Sequence, residues 1–408
     1  MSTEPSKFPP TFSVTISDEV LADLNQRLKA TRWAPDPSND DWFYGVNGTY
    51  LHDLVDYWIN EFDWRAAEKK INGFCQYRVE IDGVPIHFLH EPGKGPAPIP
   101  LILSHGWPWT FWHWSKVIRP LADPAAFGGD PADAFDVIVP SLPGFGFSTP
   151  LTKPDMNFWK MADLFNTLMT ETLGFKKYAA GGSDYGALVT SQLGHKYASN
   201  LYGIHLGHSL HPDIFQSERP WDFTEGRMVP QGVPDEIRNG IIAYQRRFAS
   251  HVAVHMLDSS TLAAALNDSP VGMLAWVLAR WAKWSESHGD VESVYSRDDI
   301  LTMATIYWVS KSIGLTTRAY ANVNRYQWRP SHNRKPAVEA PTGITFLGFE
   351  NPPGVTTENR VQAFLNSPDA NWFNTVYLKA HEKGGHFTPW ENPEAVIEDI
   401  RATFRKLR

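Results

Sequence analysis

The sequence AAGGSDYGAL, at residues 179–188, decides the fold. The segment FKKYAA (residues 175–180) has the pattern of a short strand, and ALVTSQL (residues 187–193) has that of a helix start. Between them, small residues stand two positions before and two positions after one polar residue. This spacing is typical of a nucleophile elbow, a sharp strand-to-helix turn that presents a reactive side chain.

The same spacing indicates which residue the turn presents. If it were Ser183, the residue two positions later would be Tyr185, which is too bulky for the turn; for Asp184 the flanks are Gly182 and Gly186. A carboxylate nucleophile attacks a saturated carbon and leaves an ester on the enzyme. The stretch therefore favours ring opening or halide displacement over ester or peptide hydrolysis. The alternative is a glycine-rich turn in which Asp184 only caps the helix.

Composition excludes several classes of protein. The chain has 408 residues and a formal net charge of −8, and its charges of both signs are scattered without a basic block, so we expect no nucleic-acid partner. A single cysteine, Cys75, excludes an internal disulfide framework and fits a reducing compartment. Residues 1–7 lack the apolar core of a signal peptide, and no run approaches the roughly 20 apolar residues of a membrane span. We therefore expect a cytoplasmic protein with no membrane partner.

The order of predicted elements indicates an α/β protein with a mostly parallel sheet. A hairpin at residues 76–89 precedes short apolar strands at 100–104, 135–140 and 201–206, with helical segments between them. Strand then alternates with helix, as in α/β folds.

Four segments follow from this order. Residues 1–78, with a capped helix near Val20 and a Pro- and Trp-rich meander, form a predicted N-terminal arm that wraps the rest. Residues 79–211 form the first part of the core. Residues 212–338 lose the strands and form a helical lid, inserted after the sixth predicted strand, with helices at 233–252, 270–286 and 297–313. Residues 339–408 complete the core with strands at 344–349 and 372–378 and a final helix at 393–407.

An acid and a histidine follow the elbow in the chain order of an α/β-hydrolase: nucleophile, acid, histidine, each after a strand. Asp184, Glu350 and His386 fit this order. His386 would act as general base on a water molecule, and Glu350 would hold its tautomer. Taken alone, Glu350 would more often be a surface carboxylate, and His386 would more often be an exposed loop histidine. Asp369 and Glu382 are rival acids, although Glu382 is very close to His386 in sequence.

The segment HGWP at residues 105–108 follows the strand where this fold builds half of its oxyanion hole. The backbone N–H groups of Trp107 and Tyr185 would then stabilise the oxyanion during ester hydrolysis. Such a donor typically contributes on the order of 3 kcal/mol. The alternative is a plain turn with a buried Trp107.

The chain resembles the microsomal-type epoxide hydrolases over nearly its whole length. The motifs that carry the resemblance are DWR (63–65), EIDGVPIHF (80–88), HGWP (105–108), PGFGFS (143–148), LNDSPVG (266–272), PTG (341–343) and GGHF (384–387). The resemblance implies an α/β-hydrolase fold whose nucleophile, acid and base fall on Asp184, Glu350 and His386. It also implies an epoxide substrate, water as co-substrate, a meander arm that straps the lid, and in some members homodimers.

The family further uses two lid tyrosines that donate hydrogen bonds to the epoxide oxygen. Tyr320, in the sequence RAY at 318–320, matches one of them, and counting back from LNDSP places His251 at the other. A phenol suits this role because it is neutral at pH 7 and can give up a proton. A histidine at the second position departs from the family, and a slip in the count is the alternative.

The expected substrate pocket contains four further residues. Trp109 stands where the family usually has glycine and could narrow the pocket entrance, and His208 follows the strand that leads to the lid, where a packed or solvated histidine is the alternative. Phe349 and Phe387 are also assigned to the pocket. Ser183 is a further departure, since the family more often has glycine there.

Two other functions stay open. A haloalkane or haloacid dehalogenase shares the Asp nucleophile and the base, but needs halide-binding donors such as a Trp directly after the nucleophile, where this chain has Tyr185. A non-hydrolytic biosynthetic relative is the other alternative, given His251 in place of a tyrosine. We expect no cofactor and no metal, because His251 and His255 have four-residue spacing without a carboxylate between them.

Overall fold

The computed structural model describes residues 8–222, 234–352 and 354–408. Two of the predictions lie at least partly outside these ranges: the lack of a signal peptide in residues 1–7, and the start of a lid helix at Val233.

The N-terminal arm consists of three helices and a meander. Ser17 caps the first helix by accepting a hydrogen bond from the Val20 backbone N–H, as its sequence predicts, and the meander at residues 31–47 connects the first two helices without regular structure. The arm is tied together by the Ile16 backbone N–H, which donates to Glu68 Oε1 at 2.7 Å. The three helices are α1 (Asp18–Lys29), α2 (Gly48–Asn60) and α3 (Trp64–Ile71).

The arm is joined to the lid by polar contacts. Arg27 Nη1 donates to the backbone oxygen and to Oδ1 of Asp268, both at 2.9 Å, and its guanidinium lies 5.7 Å from the Trp308 ring. Tyr57 Oη also bonds Asp298 Oδ1 at 3.1 Å. These contacts fit an arm that straps the lid, and the four segment boundaries stay predictions.

The core is one nine-stranded sheet in the order β1-β2-β3-β5-β4-β6-β7-β8-β9, antiparallel at the β1 edge and parallel from β5 onward. Its two-residue strand β1, paired with β2, is too short to show a sequence pattern and was not predicted. The strands are β1 (Thr11–Phe12), β2 (Cys75–Ile81), β3 (Val84–Glu91), β4 (Ile99–Ser104), β5 (Phe135–Pro140), β6 (Tyr178–Gly182), β7 (Leu201–Leu206), β8 (Val338–Leu347) and β9 (Phe373–His381).

Helices connect the parallel strands and cover the sheet. The predicted α/β architecture with a mostly parallel sheet is confirmed, and the five residues of the central strand β6 are all buried. The core helices are α4 (Ser115–Ala122), α5 (Phe158–Thr167), α6 (Tyr185–Lys196), α12 (Thr357–Leu365), α13 (Thr388–Glu391) and α14 (Pro393–Phe404).

Five helices lie between β7 and β8 in the described part of the chain. The helix predicted over residues 297–313 ends at Val309, because the chain turns at Lys311, whose φ of 52° is in the left-handed region, and a further helix begins at Ile313. No helix within the described ranges has both the length and the apolar character that crossing a membrane requires. The five helices are α7 (Asp235–Leu257), α8 (Ser259–Leu266), α9 (Pro270–Trp284), α10 (Arg297–Val309) and α11 (Ile313–Arg325).

Parallel pairing brings the carboxyl ends of β4, β6, β7, β8 and β9 to the same edge of the sheet. In open α/β sheets ligands bind at this edge. The loops that leave it begin at His105, Ser183, Gly207, Gly348 and Glu382. The fold therefore collects the predicted catalytic loops on one side, beneath the five inserted helices.

The crossing of α6 over β4 makes a testable demand on one glycine. A Cβ at Gly186 would overlap the backbone carbonyls of Ser104 and His105. We expect Gly186→Ala to cost roughly 3 kcal/mol of unfolding free energy through overpacking, visible as a lower thermal midpoint by calorimetry. Gly272→Ala is the control, since its Cβ would approach only the Ser269 side chain, at 3.2 Å from Oγ, and no backbone atom of a neighbouring strand. Equal midpoints for the two variants would contradict the tight crossing.

Candidate active site

Asp184 occupies a sharp turn between β6 and α6, at φ 52° and ψ −127°. A non-glycine residue in this region is strained, and such strain is concentrated at functional sites. The turn is possible because its neighbours have no side chain: a Cβ at Gly182 would overlap the Gly186 carbonyl, and one at Gly106 would overlap the Asp184 side chain. The backbone geometry is that of the elbow that the glycine spacing predicted.

The Asp184 carboxylate is held by a backbone donor on one oxygen and lies beside an imidazole on the other. The Trp107 N–H donates to Oδ1 at 2.8 Å, and His386 Nε2 lies 3.3 Å from Oδ2. Burial alone would raise the pKa of Asp184, but His386 and the N–H groups of Tyr185 and Trp107 outweigh burial and lower it. The side chain is 20% exposed.

Glu350 lies behind the imidazole. His386 Nδ1 is 2.9 Å from Glu350 Oε1, and the Glu350 side chain is only 8% exposed. Burial opposes its charge, yet contacts with His208 and His386 hold its pKa well below the ordinary value. The rival acids lie elsewhere: Asp369 contacts His211 at 3.5 Å, and Glu382 is exposed.

His386 thus lies between two carboxylates. Burial lowers the pKa of this imidazole, but the hydrogen bonds and charges of Asp184 and Glu350 prevail and raise it to about 10. In the free protein at neutral pH the ring is therefore an imidazolium. The cluster carries two negative charges and one positive charge, away from bulk water.

The loop that carries His386 is bonded to the end of α9. The His386 N–H donates to the Trp284 carbonyl at 3.0 Å, and the Gly384 N–H donates to Glu286 Oε2 at 2.7 Å. Glu391 accepts hydrogen bonds from the N–H groups of Glu286, Gly385 and Phe387 at 2.6–3.1 Å. This clamp was missed from the sequence, because nothing in a local pattern shows that these two distant segments meet.

Tyr320 and His251 lie above the elbow, next to Trp107. The Tyr320 ring centroid is 6.2 Å from that of Trp107, and the His251 ring stacks on Trp107 at 5.0 Å. The two rings are 5.5 Å apart, and His251 Nδ1 is buried without a hydrogen-bond partner. The structure brings both predicted donors to the same wall. Two further rings beside the site were not predicted as site residues: the ring centroids of Trp284 and Phe248 lie 4.9 and 5.9 Å from that of His386.

Two expected pocket residues are placed differently from the prediction. Trp109 is 2% exposed and is enclosed by Trp281, Tyr295 and Phe387, so it supports the site from behind and does not narrow an entrance. Phe387 belongs to the same buried cluster, but its ring also lies beside the site, with its centroid 5.2 Å from that of His386. Phe349 is partly exposed, and its ring contacts that of the exposed His288, so it packs on the outer side of its loop. The sequence showed these aromatic rings but not which way they face.

His208, also expected in the pocket, uses both ring nitrogens within the protein. Nδ1 lies 2.8 Å from the Asp184 backbone nitrogen, and Nε2 lies 2.9 Å from Glu350 Oε1. Three side chains have potential metal-ligand atoms within 4.8 Å of one another: those of His208, Glu350 and His386. The hydrogen bonds among the three side chains account for this spacing.

A strained carboxylate elbow, an imidazole and a second carboxylate at the carboxyl edge of a parallel sheet are features of an α/β-hydrolase. Comparison with known proteins agrees. A family model described as "alpha/beta hydrolase fold" matches residues 99–233, and one described as "Epoxide hydrolase N terminus" matches residues 9–114.

Individual relatives extend the similarity to almost the whole chain. Epoxide hydrolase 1 of Oryctolagus cuniculus is 31% identical over 95% of this chain and 87% of its own length. The juvenile hormone epoxide hydrolase of Bombyx mori is 26% identical over 97% and 87%. The solved structure of the Aspergillus niger epoxide hydrolase is 25% identical, covers 98% of this chain and 97% of its own, and superposes with a TM-score of 0.78. The chain belongs to the epoxide hydrolase family and is a hydrolase that acts on epoxides.

The charge on His386 can be tested directly. Because Asp184 raises the pKa of His386, we expect Asp184→Asn to lower it from about 10. The measurement is a titration of the imidazole ¹⁵N shifts by NMR in histidine-labelled protein. Asp155→Asn, which removes a partly exposed carboxylate that pairs with Lys160, serves as control and should leave the His386 titration unchanged. A His386 pKa near 10 in both variants would disprove the ion pair with Asp184.

Proposed function

We propose that this epoxide hydrolase converts an epoxide into a vicinal diol in two steps, through a covalent ester on Asp184. The observation that carries the proposal is the placement of His386 Nε2 at 3.3 Å from the Asp184 carboxylate, with Glu350 2.9 Å behind it. A nucleophile, a base and an orienting acid in contact are the parts that a two-step hydrolysis needs.

In the first step an oxygen of Asp184 attacks an epoxide carbon. The carbon–oxygen bond of the ring breaks, and its electron pair stays on the epoxide oxygen, which takes a proton from Tyr320. The low pKa of Asp184 keeps the carboxylate ionised for this attack. The Trp107 N–H, 2.8 Å from Oδ1, holds the carboxylate in one orientation.

The proton donors are proposed to be Tyr320 and His251. Burial, followed by the charge of Asp184, raises the pKa of Tyr320 well above its ordinary value, so the phenol is neutral and keeps its proton until an alkoxide forms. Burial, assisted by His255 and Arg280, lowers the pKa of His251 far below its ordinary value. His251 therefore acts as a neutral imidazole that donates a hydrogen bond in place of the family's second tyrosine.

The second step begins when the ester removes the charge of Asp184. His386 then loses one of the two anions that raise its pKa. The His386 imidazolium therefore gives up its proton, which reprotonates the Tyr320 phenolate left by the first step. The neutral imidazole takes a proton from water, and the resulting hydroxide attacks the ester carbonyl carbon. The N–H groups of Trp107 and Tyr185 stabilise the oxyanion. The bond between the carbonyl carbon and the alkyl oxygen then breaks, and the alkyl oxygen takes the proton of the new carboxyl group, which releases the diol and restores the Asp184 carboxylate.

An apolar epoxide is the proposed substrate class. The walls beside Asp184 and His386 are aromatic: the rings of Trp107, Tyr320, Trp284 and Phe248. The dehalogenase alternative gains no support, because the residue after the nucleophile is Tyr185, whose hydroxyl bonds the Ala319 carbonyl at 3.4 Å and so offers no halide ligand.

The covalent step predicts a trapped intermediate. With an aryl epoxide such as styrene oxide, we expect His386→Gln to accumulate an ester whose added mass equals that of the substrate, on the peptide that contains Asp184. Rapid-quench mass spectrometry measures it. Asp184→Asn, which cannot form the ester but keeps the shape of the side chain, is the matched control and should show no added mass and no turnover.

An isotope experiment decides the same point without a variant. In a single turnover of the wild-type enzyme in ¹⁸O water, the oxygen of the diol comes from the Asp184 carboxylate and is therefore light. Heavy oxygen in the first-turnover diol, or styrene oxide adducts on another residue alone, would contradict the ester on Asp184.

The two donors predict matched losses of rate. We expect Tyr320→Phe and His251→Phe each to reduce the rate of ester formation by roughly 10²-fold, the usual effect of removing one donor to a developing oxyanion. Stopped-flow tryptophan fluorescence measures that rate, since Trp107 lies beside the nucleophile. Tyr178→Phe is the control, because this buried hydroxyl bonds Asn166 Oδ1 at 3.1 Å, away from the site. If His251→Phe behaves like this control, Tyr320 is the sole donor.

A further inference from the structure

His208 lies where the last strand before the lid meets the elbow. The Gly207 N–H donates to the Gly182 carbonyl at 2.9 Å, which continues the pairing of β6 and β7 for one more residue. A Cβ at Gly207 would lie 3.1 Å from Ser183 Cβ, so the loop approaches the elbow closely. The register of the two strands thus places the next side chain, His208, against the backbone of the nucleophile.

The bond between His208 and the elbow fixes the tautomer of the ring. A backbone N–H can only donate, so the His208 Nδ1 that lies 2.8 Å from the Asp184 nitrogen must be an unprotonated acceptor. The proton of the neutral ring is then on Nε2, which donates to Glu350 Oε1 at 2.9 Å. One ring therefore accepts from the nucleophile's backbone and donates to the acid.

The same Glu350 oxygen accepts the bond from His386. His208 Nε2 and His386 Nδ1 both lie 2.9 Å from Oε1, and the two rings are 4.5 Å apart at an angle of 43°. On the other carboxylate oxygen, Arg360 Nη2 lies 3.7 Å from Oε2. His208 is the second N–H donor at the oxygen that orients the base.

We propose that His208 is a positioning residue that couples the elbow to the acid: it anchors the Asp184 backbone and, as a neutral donor, supports the ionised form of the Glu350–His386 pair. The proposal rests on the two-step mechanism above, in which that pair must be Glu350 carboxylate with neutral His386 to break the ester. His208 touches neither substrate nor ester in this scheme and acts through its two partners.

The proposal has a signed consequence for pH. Removing the N–H donor makes the pair bind a proton more readily, so the acid limb of ester hydrolysis moves to higher pH. The acid limb of the pH profile reports proton binding by Glu350 and His386 together, because two interacting groups titrate as a unit. Among the described residues, the ionisable groups around the pair are Asp184, His208, Arg360, Glu391, His113 and His251.

Two variants separate the two contacts of His208. The amide of His208→Asn reaches the position of Nδ1 and can accept from the Asp184 N–H, but it has no group at Nε2. The amide of His208→Gln reaches the position of Nε2 and can donate to Glu350, but it leaves the Asp184 N–H without its acceptor. The variants are nearly matched in size and polarity, so loss of packing affects both.

The test is single-turnover kinetics with styrene oxide, in which the rate of ester breakdown is followed against pH. We expect the acid limb of His208→Asn to lie about one pH unit above that of the wild type. We expect His208→Gln to keep the wild-type limb and to have a lower thermal midpoint, since a buried N–H has lost its partner. Coincident limbs in all three proteins, with ester clearly formed, would overturn the role of His208 while leaving the two-step mechanism intact. If no ester forms in these three proteins or in His386→Gln, it is the mechanism that fails.

A measurement on the wild-type enzyme covers the case in which a variant does not fold. Imidazole ¹⁵N shifts distinguish the two neutral tautomers, and we expect His208 to show the Nε2–H form with an unprotonated Nδ1 between pH 6 and 8. An Nδ1–H tautomer would remove both hydrogen bonds that the proposal uses and would overturn it.

Discussion

One buried imidazole shared by two carboxylates is the interaction on which the site depends. Two anions and one cation can be kept from water only if their oxygens and nitrogens find partners. His386 reaches Glu350 Oε1 at 2.9 Å and lies 3.3 Å from Asp184 Oδ2, and the Trp107 N–H holds Asp184 Oδ1. The strained elbow, the close approach of Gly106 and the parallel strand ends all serve to bring these charges together.

The loop that carries His386 belongs to the core, and it is also bonded to the end of α9, one of the five inserted helices. The Trp284 carbonyl and the Glu286 side chain, at the end of α9, accept from the N–H groups of His386 and Gly384. Glu391 ties both segments by three backbone bonds, and burial raises its pKa to about 7 against the pull of those bonds. Movement of this end of α9 would therefore displace the base. The proposed mechanism therefore requires this attachment at the end of α9 to stay in place while the ester is hydrolysed.

The sequence predicted the parts of the site that depend on local geometry. Glycine spacing pointed to Asp184, strand order to Glu350 and His386, and family resemblance to Tyr320 and His251. The structure brings these side chains together, and their roles stay predictions. What it could not show depends on which way a side chain faces after distant segments meet. Trp109 and Phe349 therefore point in other directions than predicted, and the helix predicted to reach residue 313 ends at Val309, just before the left-handed Lys311. The Glu391 clamp and the double contact of His208 required the assembled sheet for the same reason.

The assembled site also explains how a histidine can stand in for a lid tyrosine. An imidazole serves as a hydrogen-bond donor in either charge state, but an imidazolium beside His386 would add a positive charge to the cluster. Burial between Trp107 and Trp284, assisted by the charges of His255 and Arg280, prevents this by lowering the pKa of His251 well below its ordinary value. The ring is then electrically equivalent to a phenol: neutral, apolar on its faces and polar at an N–H. In the proposed mechanism, a neutral His251 in place of the tyrosine therefore leaves the charge balance of Asp184, Glu350 and His386 unchanged, and the two proposed steps require that balance.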